Sequence, residues 1–324
     1  MDMKNLLTQE KALTFLAKLG VENGLEKLQQ NPRQFITDVV RAYQENVPFQ
    51  CVTMMSLSVE ERHVPTAEEI VAAGLSLEGG VCLTLNVFFC LLLRALGLKV
   101  DLLDGNYSAH GNDHSHVILL LSDLRFPGDN YVIDVGNGFP SMEIIPLEEL
   151  PVTYYRAGLE YRYQYSGDDV IRLHRSGDTT LDGEKPVMRD DWRQVFHFRL
   201  HPVDFEHFRP HMKRIYIDDT CDFLHCIRAV RFPPEDALIQ KGLLPREGGQ
   251  KESEGSESRT EVGSSGDKRM MLAFKNQSLL VGPMDGATKT KVEEDVLAAK
   301  IKELFPYIPA DRVDAAVQKI VQHS

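Results

Sequence analysis

Residues 79–97 read GGVCLTLNVFFCLLLRALG, and this stretch divides the chain. Paired glycines break the backbone, an apolar helix is predicted from Cys82 to Leu96, and Gly97 closes it. Before it the chain reads as helical. Gln9 to Lys18 and Pro32 to Tyr43 carry apolar residues at three- and four-residue spacing. Thr66, followed by Glu68 and Glu69, reads as a helix cap with acids in the first turn. After Gly97 the period changes. Short strand-like runs cover Leu98 to Leu103, Val117 to Leu121, Tyr131 to Val135, Leu159 to Tyr165, Val170 to His174 and Phe196 to Leu200. Such runs predict a small barrel or a strongly bent sheet. Residues 245–268 contain no aromatic and are rich in Gly, Ser and Glu, so they cannot bury enough surface to order themselves. Two strands, Met270 to Phe274 and Ser278 to Val281, and two helices, Lys291 to Leu304 and Ala310 to His323, complete the pattern.

Composition narrows the partners. The 324 residues are 43% hydrophobic, enough for a large core. A net charge of -12 argues against nucleic acid as a partner. The longest apolar stretch, Val87 to Leu93, stops at Arg94, far short of the ~20 residues a membrane span needs. Charges at Asp2, Lys4, Glu10, Lys11 and Lys18 leave no clean signal-peptide core. The five cysteines are then expected as free thiols in the cytoplasm.

Cys82 is the first candidate for chemistry. At the first turn of a helix a thiolate meets unpaired N–H groups and the positive end of the dipole. Gly79 and Gly80 would let a substrate carbonyl approach the backbone. Read by burial alone, Cys82 is a small buried hydrophobe, and that reading is stronger still for Cys90. His116 and Asp134 are the second signal. His116 to Leu121 and Tyr131 to Asp134 read as a hairpin around Pro127-Gly128. Pairing Leu121 with Tyr131 puts His116 diagonal to Asp134, and pairing Leu119 with Tyr131 puts the two opposite. Either register leaves them on one face, roughly 5–8 Å apart at Cβ. The carboxylate would then orient the imidazole. A purely structural hydrogen bond is the alternative. His114 has the same parity and competes for Asp134, whereas His110 reads as a loop residue. His207, His211, Cys221, His225 and Cys226 match no common zinc spacing, and Pro210 disfavours a helix carrying both His207 and His211, so no metal is expected.

The residues resemble one family. Gly79-Gly80-Val81-Cys82-Leu83 with Asn86 resembles the nucleophile motif of arylamine N-acetyltransferases, glycines before the cysteine and an asparagine four residues after it. The run from His116 to Gly136, Val47-Pro48-Phe49, and Phe198 to Phe205 resemble the family's further segments. The resemblance implies an α+β fold of helical bundle, β-barrel and α/β lid; with the composition it divides the chain into a helical bundle (1–97), a β-barrel (98–235), a mostly disordered insertion (236–268) and an α/β lid with C-terminal helices (269–324). It places a cysteine-proteinase-like Cys-His-Asp core between the first two. It also implies Cys82 as acyl-accepting nucleophile, His116 as base, Asp134 as orienting acid, and Phe49, Asn137 and Phe139 on the acceptor side. The implied reaction carries an acetyl group from acetyl-CoA through a cysteine thioester to an arylamine, hydrazine or related amine. The partners are small molecules, the chain is expected as a monomer, and the CoA-binding residues are unassigned.

Three departures stand beside the resemblance. Glu78 replaces the family's arginine before the glycines, and Gln50 replaces its glutamate after V-P-F, so a Gln50–Glu78 hydrogen bond could substitute for an ion pair. Asn137 replaces an aromatic. Asp218, Asp219 and Asp222 stand where a Ser/Thr-rich donor-binding segment is expected, and one like-charge contact with a pyrophosphate costs up to ~4 kcal/mol at ~4 Å. The competing readings are an inactive acetyltransferase fold and a Cys-His-Asp thiol hydrolase or transglutaminase-like enzyme.

Overall fold

Side-chain caps fix where the first helices begin. Thr8 accepts from Lys11 N at 3.3 Å ahead of Gln9–Lys18, and Asn31 accepts from Gln34 N at 3.2 Å ahead of Pro32–Asn46. Thr66 accepts from Glu69 N at 3.2 Å while Glu69 returns to Thr66 N at 2.7 Å, a full capping box ahead of Ala67–Leu75. These helices surround Cys82–Ala95, in which every residue from Cys82 to Leu93 is buried. A helix apolar on all sides must lie at the centre of its layer. The Phe88 ring there stands 5.0 Å from Phe15 and 6.4 Å from Tyr43. The computed structural model describes residues 6–108, 114–178, 187–246 and 268–322. His110 and residues 247–267, the bulk of the predicted insertion, lie outside the described residues.

The second layer is one antiparallel sheet. Its order is Ile145–Pro146, Asn130–Ile133, His116–Ser122, Lys99–Tyr107, Trp192–Val203, Asp169–Ser176, Leu159–Ser166 and Val152–Arg156, with Val187–Arg189 beside Trp192–Val203. The two end strands are joined by residues 147–151 alone, so the sheet curls until its edges nearly meet. Leu121 pairs with Tyr131 and Leu119 with Ile133, the first of the two registers read from the sequence. A second antiparallel sheet runs Phe49–Gln50, Arg228–Arg231, Met271–Lys275, Ser278–Gly282 and Thr288–Lys291. Helices Glu294–Leu304 and Ala310–Gln322 share its core through Leu297, Ile301, Val313 and Ala316. The α+β architecture of helical layer, curled sheet and C-terminal strands with helices is the one the sequence implies.

Three particulars depart from the sequence reading. Arg228–Arg231, inside the span assigned to the barrel, pairs in the second sheet instead. Glu235–Gln240 is helical, so order extends into the segment starting at 236. Phe205–Tyr216 is a continuous helix with Pro210 inside it, so one helix does carry both His207 and His211. An interior proline costs about 3 kcal/mol. Asp204 accepts from His207 N at 2.9 Å as a cap. Phe205, Phe208, Met212 and Tyr216 are buried on one face, at about 1.5–3 kcal/mol each. That burial outweighs the proline.

Phe88 has no exposed surface and packs against the rings of Phe15 and Tyr43. Phe88→Ala is expected to lower stability by about 3–5 kcal/mol, read from the urea unfolding midpoint.

Candidate active site

The glycine pair places Cys82. Gly79 has φ 84°, and a Cβ there would sit 2.0 Å from Pro48 O, so only glycine fits. Gly80 bridges to Phe49, and Gln50 N donates to Gly80 O at 2.9 Å. Two backbone contacts thus pin the loop to the Phe49–Gln50 strand. Val81 is extended and offers no side-chain cap, so the first-turn amides around Cys82 are not taken by one. The Cys82 thiol, on a residue 6% exposed, donates to Ser115 O at 3.4 Å.

His116 and Asp134 meet across the hairpin. Nε2 of His116 lies 2.8 Å from Oδ2 of Asp134, with both side chains essentially sealed from water. Burial alone would depress the imidazole's pKa, but Asp134 and the adjacent Cys82 push it up to about 10. Burial alone would raise the carboxyl of Asp134. His116, Asn86 and Arg172 hold it below the usual carboxylate range instead. Nδ1 of His116 is buried and makes no hydrogen bond of normal geometry among the described residues. Cys82 is near enough to raise the ring's basicity as well.

Asn86, one helical turn beyond Cys82, ties these pieces together. Its Nδ2 donates to Val117 O at 2.6 Å and to Asp134 Oδ1 at 2.9 Å, and its Oδ1 accepts from Val135 N at 2.9 Å. The helix is so close here that a Cβ on Gly136 would lie 2.9 Å from Cys82 Cα. Gly136 N also donates to Asp134 Oδ1 at 3.1 Å. Beneath Asp134 runs a buried polar chain. Asn137 Nδ2 donates to Asp134 Oδ2 and Ser141 Oγ, both at 2.8 Å, and Arg172 donates to the same Ser141 oxygen. Arg172, fully buried, also donates to His174 Nε2 at 2.8 Å, with the rings of Tyr161, Tyr163, Phe139 and Phe196 around its guanidinium. Burial, with Arg172 and Arg193 nearby, pushes His174 down to about 3, so it accepts that bond as a neutral ring.

The other predicted residues divide. Phe49 is half-buried, with its ring 5.9 Å from Phe223 and against Gly138. Asn137 is 5% exposed and spends its oxygen on Phe139 N as well as its nitrogen on Asp134 and Ser141. Phe139, also 5% exposed, packs 4.6 Å from His174. Gln50 does not reach the Glu78 carboxyl. It bonds Thr53 at 2.9 Å and the Glu78 backbone carbonyl at 3.5 Å. His114 turns away from Asp134 and meets Asp104. In the acidic segment Asp218 Oδ1 caps Thr220, and Asp219 pairs with Arg62 at 2.7 Å. Ser141, Arg172 and His174 were not singled out from the sequence. The one signal for Arg172 and His174 is their alternation with Val170, Ile171 and Leu173, which places both polar groups on one face of a strand otherwise rich in apolar residues.

A nucleophile, a strongly basic imidazole and an orienting carboxylate, closely packed and dry, can form and break an acyl–sulfur bond. A family model described as N-acetyltransferase matches residues 34–253. No curated protein sequence matches the chain. Among solved structures it is similar to a Mycobacterium marinum arylamine N-acetyltransferase in complex with CoA, at 18% identity, 95% of this chain and 99% of that chain covered, and TM-score 0.65. It is similar to one from Nocardia farcinica at 15% identity, 99% and 97% coverage and TM-score 0.67. It is also similar to one from Bacillus cereus with a Cys-His-Glu triad, at 18% identity, 94% and 98% coverage and TM-score 0.62. At these identities the likeness carries the fold. Among the described residues no helix is long and apolar enough to cross a membrane.

Removing the Asn86 side chain takes a donor from Val117 O, the acceptor from Val135 N and one of the two donors from Asp134 Oδ1, all in a dry interior. At about 1–3 kcal/mol per orphaned group, Asn86→Ala is expected to destabilise the chain by several kcal/mol in denaturant unfolding, more than Phe49→Ala at a half-exposed position.

Proposed function

The chain belongs to the arylamine N-acetyltransferase family and is an acyltransferase, and from that premise we propose that it carries an acetyl group from acetyl-CoA, through a thioester on Cys82, to an arylamine, hydrazine or related amine. The observation that carries this reading is the dry contact of His116 with Asp134 beside the Cys82 sulfur. His116, its basicity raised by Asp134, takes the thiol proton at Nδ1 and keeps it, so the reacting pair is a Cys82 thiolate beside an imidazolium. The sulfur then attacks the thioester carbonyl carbon of acetyl-CoA. The tetrahedral intermediate collapses with loss of the CoA thiolate, which receives the proton from His116. In the second half the acceptor amine attacks the acetyl carbon on Cys82. His116 accepts the amine proton, and the Cys82 sulfur leaves with the bonding pair. Asp134 orients the imidazole and stabilises its charge without taking the proton.

Phe49 serves as the aromatic contact for the acceptor, with Phe223 beside it. Asn137 and Phe139 support this side from beneath, Asn137 by holding Asp134 and Phe139 by backing His174. The acids at 218–222 oppose the donor's phosphates less than their number implies. Asp219 is already neutralised by Arg62, whose side chain is only 7% exposed. No residue is assigned to the CoA phosphates. We place the enzyme in the cytoplasm, acting as a monomer.

Intact-protein mass spectrometry after mixing with acetyl-CoA tests the reading. One acetyl group is expected on Cys82, none on Cys82→Ser, and its loss on adding an arylamine or hydrazine. Asp134→Asn is expected to slow acetylation on the order of 10²–10⁴-fold. An unacetylated Cys82 in folded protein would favour the inactive fold. Amine incorporation into glutamine without CoA would favour the transglutaminase-like reading.

A further inference from the structure

A second cluster of titratable side chains lies outside the triad. His207 and His211, four residues apart on Phe205–Tyr216, meet His114 from the chain just before His116. One nitrogen from each ring can be chosen so that all three lie within 4.8 Å of one another. Asp104, on the strand Lys99–Tyr107, accepts from both sides: its Oδ2 lies 2.5 Å from His114 Nδ1 and 2.8 Å from His207 Nε2. The His211 ring makes no hydrogen bond among the described residues. His114 has φ 52°, uncommon for a residue with a side chain, and Asn106 Oδ1 holds it there by accepting from its N–H at 2.8 Å.

Three imidazoles packed this closely have no structural need of one another. Their ring centroids stand 5.9, 4.6 and 5.5 Å apart, and each ring protonated would repel a charge on the next. Their chemistry has one common use. Neutral imidazole nitrogens are ligands for borderline divalent cations such as Zn²⁺, Co²⁺, Ni²⁺ and Cu²⁺, and not for Mg²⁺ or Ca²⁺. A tetrahedral ion with Zn–N near 2.0–2.1 Å would draw the nitrogens to about 3.3 Å apart, a side-chain adjustment. A carboxylate that holds the remaining N–H of a ligating histidine is the usual outer partner of such a site, and Asp104 already bonds two of the three rings. The side chains of His114 and His207 are 37% and 34% exposed, so an ion and a water can enter.

We propose that His114, His207 and His211 form a binding site for a Zn²⁺-class divalent cation, oriented by Asp104. The ion would tie the Phe205–Tyr216 helix to the start of the His116 strand. Because His114 stands two residues before His116 and one before Ser115, whose carbonyl holds the Cys82 thiol, occupancy would also stiffen the chain that carries the base. The site uses no residue of the proposed triad, so it stands or falls apart from acyl transfer.

Equilibrium dialysis of the full chain as Cys82→Ser, which removes the thiol as a competing ligand, with Zn²⁺ and elemental analysis, tests this. One equivalent is expected to be retained, and the further change His211→Gln is expected to lose it. Asp104→Asn is expected to weaken binding about 10–100-fold. Retention of a full equivalent by the His207→Asn, His211→Gln double variant, folded by circular dichroism, would overturn the proposal, as would no retention by the parent. A parallel Co²⁺ spectrum needs no histidine variant. Ligand-field bands without a sulfur-to-cobalt transition are expected. A sulfur transition would move the ion to Cys221 and Cys226 and refute the histidine site.

Discussion

The hydrogen bond between His116 and Asp134, 2.8 Å long and shut off from water, is the constraint on which the rest of the molecule depends. A buried carboxylate survives only where charge and hydrogen bonds replace its hydration. Asp134 receives four donors: His116, Asn86, Gly136 N and Asn137. Each comes from a different local device. Asn86 comes from the helix that begins at Cys82, Gly136 from a residue too small to push that helix away, and Asn137 from the turn that follows. The helical layer and the curled sheet must therefore meet at one place and in one register, or the carboxylate is left unpaired.

The same requirement explains the polar interior beneath the site. Arg172 is a charge with no exposed surface, and among the described residues its hydrogen bonds go to His174, Ser141 and Tyr163 rather than to a carboxylate. Aromatic faces and the chain through Ser141 and Asn137 take the place of a salt bridge, and its positive charge, acting through space, helps hold Asp134 ionised. Such a chain is costly when partly satisfied and rigid when complete. It fixes the turn after Asp134, which also carries Gly138 against the Phe49 ring. The acid of the proposed triad and the Phe49 ring are thus held by one piece of chain.

Much of this was legible before any coordinates. The glycine pair, Cys82 on a first turn and the two apolar strands ending in His116 and Asp134 are local patterns, and alternation along a strand sets which face a side chain takes. Register was the open question, and Leu121 opposite Tyr131 settled it in the arrangement that leaves His116 diagonal to Asp134. The helix through Pro210 was not legible. Its stability comes from burying Phe205, Phe208, Met212 and Tyr216 against the first core, a tertiary effect that overrides a local prohibition. Arg228–Arg231 was misassigned for a related reason, since a strand's parity says nothing about which sheet it joins. The histidine cluster followed the helix: once Pro210 was read as a break, His207 and His211 could not be placed on one face, nor His114 beside them.

The central claim is that His116 stays protonated far above the range of an ordinary histidine because Asp134 and Cys82 face its two nitrogens. The most direct measurement is a nitrogen-15 titration of the His116 ring by NMR in the full chain, from pH 5 upward. The account predicts an imidazolium signal that persists through neutral pH and titrates near pH 10. A ring that loses its proton close to the ordinary value of about 6.5 would contradict it.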